Sequence, residues 1–149
     1  MMKDGRFLAV AESCTGGLVN AMLSSVPGAS RWFLGGVVAY SDRLKEKLVG
    51  VPLDTIAEYG AVSRETVEAM ARGVRETTGA EVSMAVTGIA GPGGGSREKP
   101  VGTVWMAVCG SNGVFTWSEK FTGTREEVRR RASRCVLEMM ARRLEDGGA

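Results

Sequence analysis

Ser13 closes a short apolar run and is followed by Cys14, Thr15 and two glycines, which places its hydroxyl where a strand gives way to a helix. A serine there is a candidate nucleophile. Small neighbours allow close backbone approach to a bound group, and the N–H groups of a first helical turn, with the helix dipole, can receive an oxyanion. Ala11-Glu12-Ser13-Cys14-Thr15 is not G-x-S-x-G, so the segment shares the principle of a nucleophile elbow without its pattern. The plainer reading is that Ser13 caps the helix. Cys14 is a rival nucleophile whose thiolate would depend on the dipole alone.

The chain contains no histidine. That excludes Ser-His-Asp and Cys-His arrangements and the zinc sites built on imidazole, and it leaves Lys, Tyr or a carboxylate to move protons. A free lysine titrates at about 10.4, so a lysine base must be held neutral by burial or by nearby cations. Among Lys3, Lys45, Lys47, Lys99 and Lys120, Lys45 is singled out because it follows the apolar run from Trp32 to Tyr40, which reads as a buried strand. The competing readings are a solvated helix residue for Lys45 and a packed aromatic for Tyr40.

Thr87-Gly88-Ile89-Ala90-Gly91-Pro92-Gly93-Gly94-Gly95-Ser96 follows another apolar run, the position where open α/β sheets bind ligands. Its N–H groups suit a phosphate, yet it matches neither G-x-x-x-x-G-K-[ST] nor G-x-G-x-x-G, and a flexible surface connection is an equal reading. Arg125 and Arg129 share one face of a later helix at i, i+4 and could clamp a phosphate. Pairing with Glu126 and Glu127 on a solvated face is the alternative. No stacking aromatics accompany Arg129 to Arg134, so nucleic-acid binding is not expected.

The elements that must position these residues follow from periodicity. Phe7 to Ala11 reads as a strand, followed by a helix with Leu18, Ala21 and Met22 on one face. Ser41-Asp42 caps a short helix carrying Lys45, and Ser63 caps a longer one with the stripe Val67, Met70, Ala71 and Val74, ended by Gly79. Val82 to Thr87 reads as an interior strand. Val101 to Cys109 and Val114 to Phe121 read as a hairpin, with the glycines and Asn112 of Gly110-Ser111-Asn112-Gly113 supplying positive φ. A last helix runs from about Thr124 to Leu144, with Val128, Ala132, Cys135, Val136, Met139 and Met140 inward; Asp146 to Ala149 should fray. The sum is an α/β class, a three-layer α/β/α sandwich with a mixed sheet of about five strands.

Composition sets the outer limits. The 149 residues, 44% hydrophobic and 24% charged with a net charge of +2, fit one folded domain spanning 1–149, with no bulk attraction to nucleic acid or anionic membrane. Cys14, Cys109 and Cys135 form no C-x-x-C pair, which suits the cytoplasm and argues against a cysteine metal site. No run approaches the roughly 20 apolar residues of a membrane span, and the start is not a secretory signal.

Six segments together resemble the CinA carboxy-terminal domain family, the nicotinamide-nucleotide amidohydrolases also called PncC. They are Ala11 to Gly17, Tyr40-Ser41 with Lys45, Tyr59 to Ser63, Thr87 to Gly95, Lys99 to Val104, and Gly123-Thr124-Arg125 with Val128-Arg129. The resemblance implies hydrolysis of the carboxamide of nicotinamide mononucleotide to nicotinic acid mononucleotide and ammonia, with no cofactor and no metal. It carries a Ser-Lys pair onto Ser13 as nucleophile and Lys45 as base, with Tyr40 beside them. It makes the N–H groups around Cys14 and Thr15 an oxyanion hole, and places Gly16, Thr87, Gly88, Gly91, Thr103, Arg125 and Arg129 around a pyridine nucleotide. It also leads one to expect a helix before the first strand, where only Met1 to Arg6 stand, and no fused pyrophosphatase-like domain. An apolar patch left without that helix would favour self-association. A competing expectation is a competence-related nucleotide-binding module without turnover.

Overall fold

A computed structural model describes residues 5–147 of the chain. Five strands, β1 (Leu8–Glu12), β2 (Phe33–Val38), β3 (Val82–Gly88), β4 (Thr103–Gly110) and β5 (Gly113–Lys120), form one sheet in the order β2-β1-β3-β4-β5. β1 runs parallel to β2 and β3, while β4 is antiparallel to both β3 and β5. α1 (Leu18–Ser24) and α5 (Arg125–Glu145) cover one face; α2 (Asp42–Val49), α3 (Leu53–Tyr59) and α4 (Arg64–Thr78) cover the other. This is the expected α/β/α sandwich. Residues 1–4 ahead of β1, where the family's helix is expected to be missing, lie outside the described residues, as do the last two residues of the expected frayed end.

β1 and β3 are interior strands covered on both faces, which is why they read as unbroken apolar runs. Their alternation divides the core unequally. Val10, Met84, Val86 and Met106 face α1 and α5, whereas the small Ala9, Ala11, Ala85 and Ala107 face α4. On α4 the stripe Val67, Met70, Ala71 and Val74 is fully buried, the Ser63 hydroxyl accepts the Thr66 N–H at 3.1 Å, and Gly79 ends the helix at φ 72°. The Val67, Met70 and Val74 side chains each contribute about 1.5–3 kcal/mol by leaving water. On α5, Val128, Ala132, Val136 and Met140 are buried, and Thr124 and Glu127 cap one another reciprocally.

Two expectations need correction, and one element went unanticipated. The run Trp32 to Tyr40 yields a strand only over Phe33–Val38, and it is not buried: β2 lies at the sheet edge, with Leu34 47% and Val38 39% exposed. An apolar run records a tendency to be covered, while the order of strands decides which one lacks a neighbour. In the hairpin only Gly113 has positive φ, and the Asn112 side chain donates to the Gly147 carbonyl instead. α3 follows Pro52 and buries only Ile56, too short a stripe for periodicity to reveal. No helix among the described residues is long and apolar enough to cross a membrane.

Candidate active site

The segment after β1 does not join α1 in the expected way. Ser13 is not the helix cap: α1 begins at Leu18, and its N-cap, Gly17, offers no side chain. The first-turn donors are already taken, because the Glu12 carboxylate accepts the N–H groups of Gly17, Val19 and Asn20 at 2.9, 3.1 and 2.7 Å. An oxyanion therefore has no access to them, whereas the Cys14 and Thr15 N–H groups lie outside this network. Ser13 itself is held by main chain, donating from N–H to Val86 O at 2.9 Å and accepting from Gly16 N–H at 3.0 Å.

Lys45 is 1% exposed, which removes the solvated-residue reading. The helix capped by Ser41 turns it inward, and its Nζ donates to the Tyr40 carbonyl at 3.1 Å. Burial holds its ammonium below the ordinary 10.5, while Asp42, one turn earlier with Oδ1 at 3.7 Å, pushes back upward. Cys14 is also buried, and burial raises its thiol to about 12, so it carries no thiolate at neutral pH.

These groups meet in one open cavity of about 260 Å³ lined by Ser13, Cys14, Tyr40, Lys45, Thr87, Gly88, Gly91 and Arg125 among others. They come from the turn after β1, the start of α2, the end of β3 with its glycine loop, and the first turn of α5. The cavity lies beyond the carboxyl ends of parallel β1 and β3, where such sheets bind ligands. The base of the glycine loop is a strapped structure. Ile89 N–H donates to Thr103 O at 2.9 Å and Gly102 N–H returns to Ile89 O at 2.7 Å. At Gly91 a side chain would strike Val101, which explains glycine there by close approach.

Arg125 bridges two walls: Nη1 donates to Gly91 O at 2.8 Å and Nη2 to the Tyr40 hydroxyl at 2.6 Å. Arg129 lies outside this cavity's lining, with Nη2 donating to Thr15 O at 2.9 Å beside Gly16. It borders a neighbouring cleft of about 560 Å³ with Leu18, Arg125, Glu126 and Arg130. Neither Thr15, which is buried, nor Thr103, whose hydroxyl donates to Pro100 O at 2.7 Å, lines this cavity. Glu127 turns to its own cap at Thr124 N–H rather than to the arginines.

Sequence reasoning overlooked Asp42, Ala61, Val62 and Glu12. Asp42 was detectable as an acid three residues before Lys45 on a helix. Ala61 and Val62 reach the cavity through the Thr87 hydroxyl, which donates to Ala61 O at 2.9 Å across 26 residues, a contact with no local signal.

The model of the CinA C-terminal domain matches residues 1–144. A CinA-like protein of Myxococcus xanthus is 51% identical over 146 residues, 97% of this chain and 34% of that protein. One from Desulfotalea psychrophila is 49% identical over 144 residues, 97% of this chain and 35% of its own length. The chain thus spans about a third of these relatives. The competence damage-inducible protein A structure from Klebsiella pneumoniae superposes with TM-score 0.93 at 35% identity, covering 97% of this chain and 89% of that one. The competence/damage inducible protein from Agrobacterium tumefaciens gives 0.91 at 41% identity, covering 94% and 86%. A sequence match along nearly the whole chain and the same fold lead to one conclusion: the chain belongs to the CinA C-terminal domain family.

Proposed function

We propose that this chain is an amidohydrolase domain that deamidates nicotinamide mononucleotide, with Ser13 as nucleophile and Lys45 as base. The observation that carries the reading is the convergence of Ser13, a fully buried Lys45, Tyr40 and Arg125 on one cavity. Burial favours the neutral amine, the form able to take the Ser13 proton.

The alkoxide attacks the carboxamide carbon, and the oxyanion is received by the N–H of Cys14, the residue beside Ser13 that lines the cavity. The lysine proton passes to the departing nitrogen as the C–N bond breaks, releasing ammonia and leaving an acyl ester on Ser13. Lys45 then takes a proton from water, the resulting hydroxide attacks the ester, and Ser13 recovers its proton as nicotinic acid mononucleotide leaves. Tyr40, whose carbonyl receives the Lys45 Nζ, orients the base through its main chain. Arg125 on the opposite wall supplies a guanidinium suited to the phosphate.

Ammonia release from nicotinamide mononucleotide tests the assignment. Wild type should turn over, while Ser13→Ala and Lys45→Ala should each lose a hundredfold or more, on the order of what one oxyanion donor is worth. Tight nucleotide binding by intact protein with no ammonia release would instead make it a nucleotide-binding module.

A further inference from the structure

Glu12 is fully buried at the end of β1, next to the candidate nucleophile but not in the cavity lining. A buried carboxylate is costly unless its lone pairs are met. Here they are met in full. Oε2 accepts from Gly17 N–H and Val19 N–H at 2.9 and 3.1 Å, and Oε1 accepts from both the main-chain and side-chain nitrogens of Asn20 at 2.7 Å. α1 has no other cap, since Gly17 has no side chain and the first turn holds no acid. The carboxylate therefore joins the end of β1 to the start of α1 and closes the intervening Ser13-Cys14-Thr15-Gly16 into a short loop. Two further bonds pin Ser13 inside it, to Val86 O and from Gly16 N–H.

A neutral side chain of the same shape cannot replace it. The four donors approach both oxygens, so an amide would aim its own N–H groups at two of them. We propose that Glu12 is the positioning residue of the nucleophile loop: by capping α1 from the strand, it sets the Ser13 hydroxyl and the N–H groups beside it without touching substrate. This rests on the amidase reading only for its effect on turnover.

The test compares wild type, Glu12→Gln and Asn20→Ala in three measurements: ammonia release from nicotinamide mononucleotide, labelling of Ser13 by a fluorophosphonate probe, and nucleotide affinity by calorimetry. Glu12→Gln should lower both kcat and the labelling rate tenfold or more, with Kd for the nucleotide within threefold. Asn20→Ala, which removes one donor of four, should fall between. A folded Glu12→Gln protein that labels and turns over within twofold of wild type overturns the proposal, and so does a variant whose only change is a lower Tm. If Glu12→Gln does not fold, Asn20→Ala decides in the same way, with a labelling rate equal to wild type counting against the proposal. Wild type that labels at Ser13 but releases no ammonia defeats the amidase reading alone, and the labelling comparison still judges Glu12.

Discussion

The Arg125 guanidinium donates to the Tyr40 hydroxyl at 2.6 Å across 85 residues of chain, tying the start of α5 to the residue just before the Ser41 cap of α2. The same guanidinium holds Gly91 O, so one side chain joins the helix, the glycine loop and the tyrosine at the rim of the cavity. If Arg125 receives the nucleotide phosphate, Arg125→Ala should raise KM for nicotinamide mononucleotide about tenfold or more and affect the riboside, which lacks phosphate, far less. Equal losses of kcat/KM on both compounds would restrict Arg125 to holding Tyr40.

The Lys45 balance between burial and Asp42 predicts a direction for pH dependence. A base must be neutral, so kcat/KM should rise with pH to the Lys45 pKa. Asp42→Asn removes the group that pushes this pKa upward, and the acidic limb should move to lower pH. A rate profile of the variant with its limb unmoved or displaced upward would detach Lys45 from that limb.

Stability should carry the opposite mark of the same lysine. Its folded pKa lies below the unfolded 10.5, so between those values the unfolded chain binds more protons and stability rises with pH; below the folded pKa the cost is fully present. Lys45→Met should therefore stabilise the fold at neutral pH, by removing the desolvated ammonium, and abolish the rise. Urea unfolding at a series of pH values reads both effects, and a variant less stable than wild type at pH 7 would contradict them.

Cys14, with its thiol raised to about 12, should resist iodoacetamide in the folded protein and react only after denaturation. Cys14→Ala should keep turnover within a few fold. Loss comparable to Ser13→Ala would return the cysteine to the mechanism.

Gly73 on α4 packs so closely on α2 that an added Cβ would lie 1.6 Å from the Val49 carbonyl oxygen. Gly73→Ala should cost about 2 kcal/mol or more in urea unfolding, since backbone must move to admit the methyl. An unchanged midpoint would mean that the two helices can separate freely.

Short-range chemistry was readable from the residues alone. Ser63 and Thr124 have the types that cap helices, the α4 and α5 stripes repeat at helical spacing, and doubly covered β1 and β3 lack regular polar alternation, with only Glu12, Ser83 and Thr87 among their apolar residues. Such features depend on neighbours a few residues away, so local sequence specifies them. The lack of histidine likewise restricted the base to a lysine, a tyrosine or a carboxylate before any fold was considered. The tertiary structure decided the rest. It left β2 at an edge because no strand pairs beyond it, and it placed Lys45 on the buried side of α2. It gave the first-turn donors of α1 to Glu12, and it brought Arg125 to Tyr40 and Thr87 to Ala61. Those outcomes are contacts between segments far apart along the chain, and local spacing contains no information about which distant groups will meet.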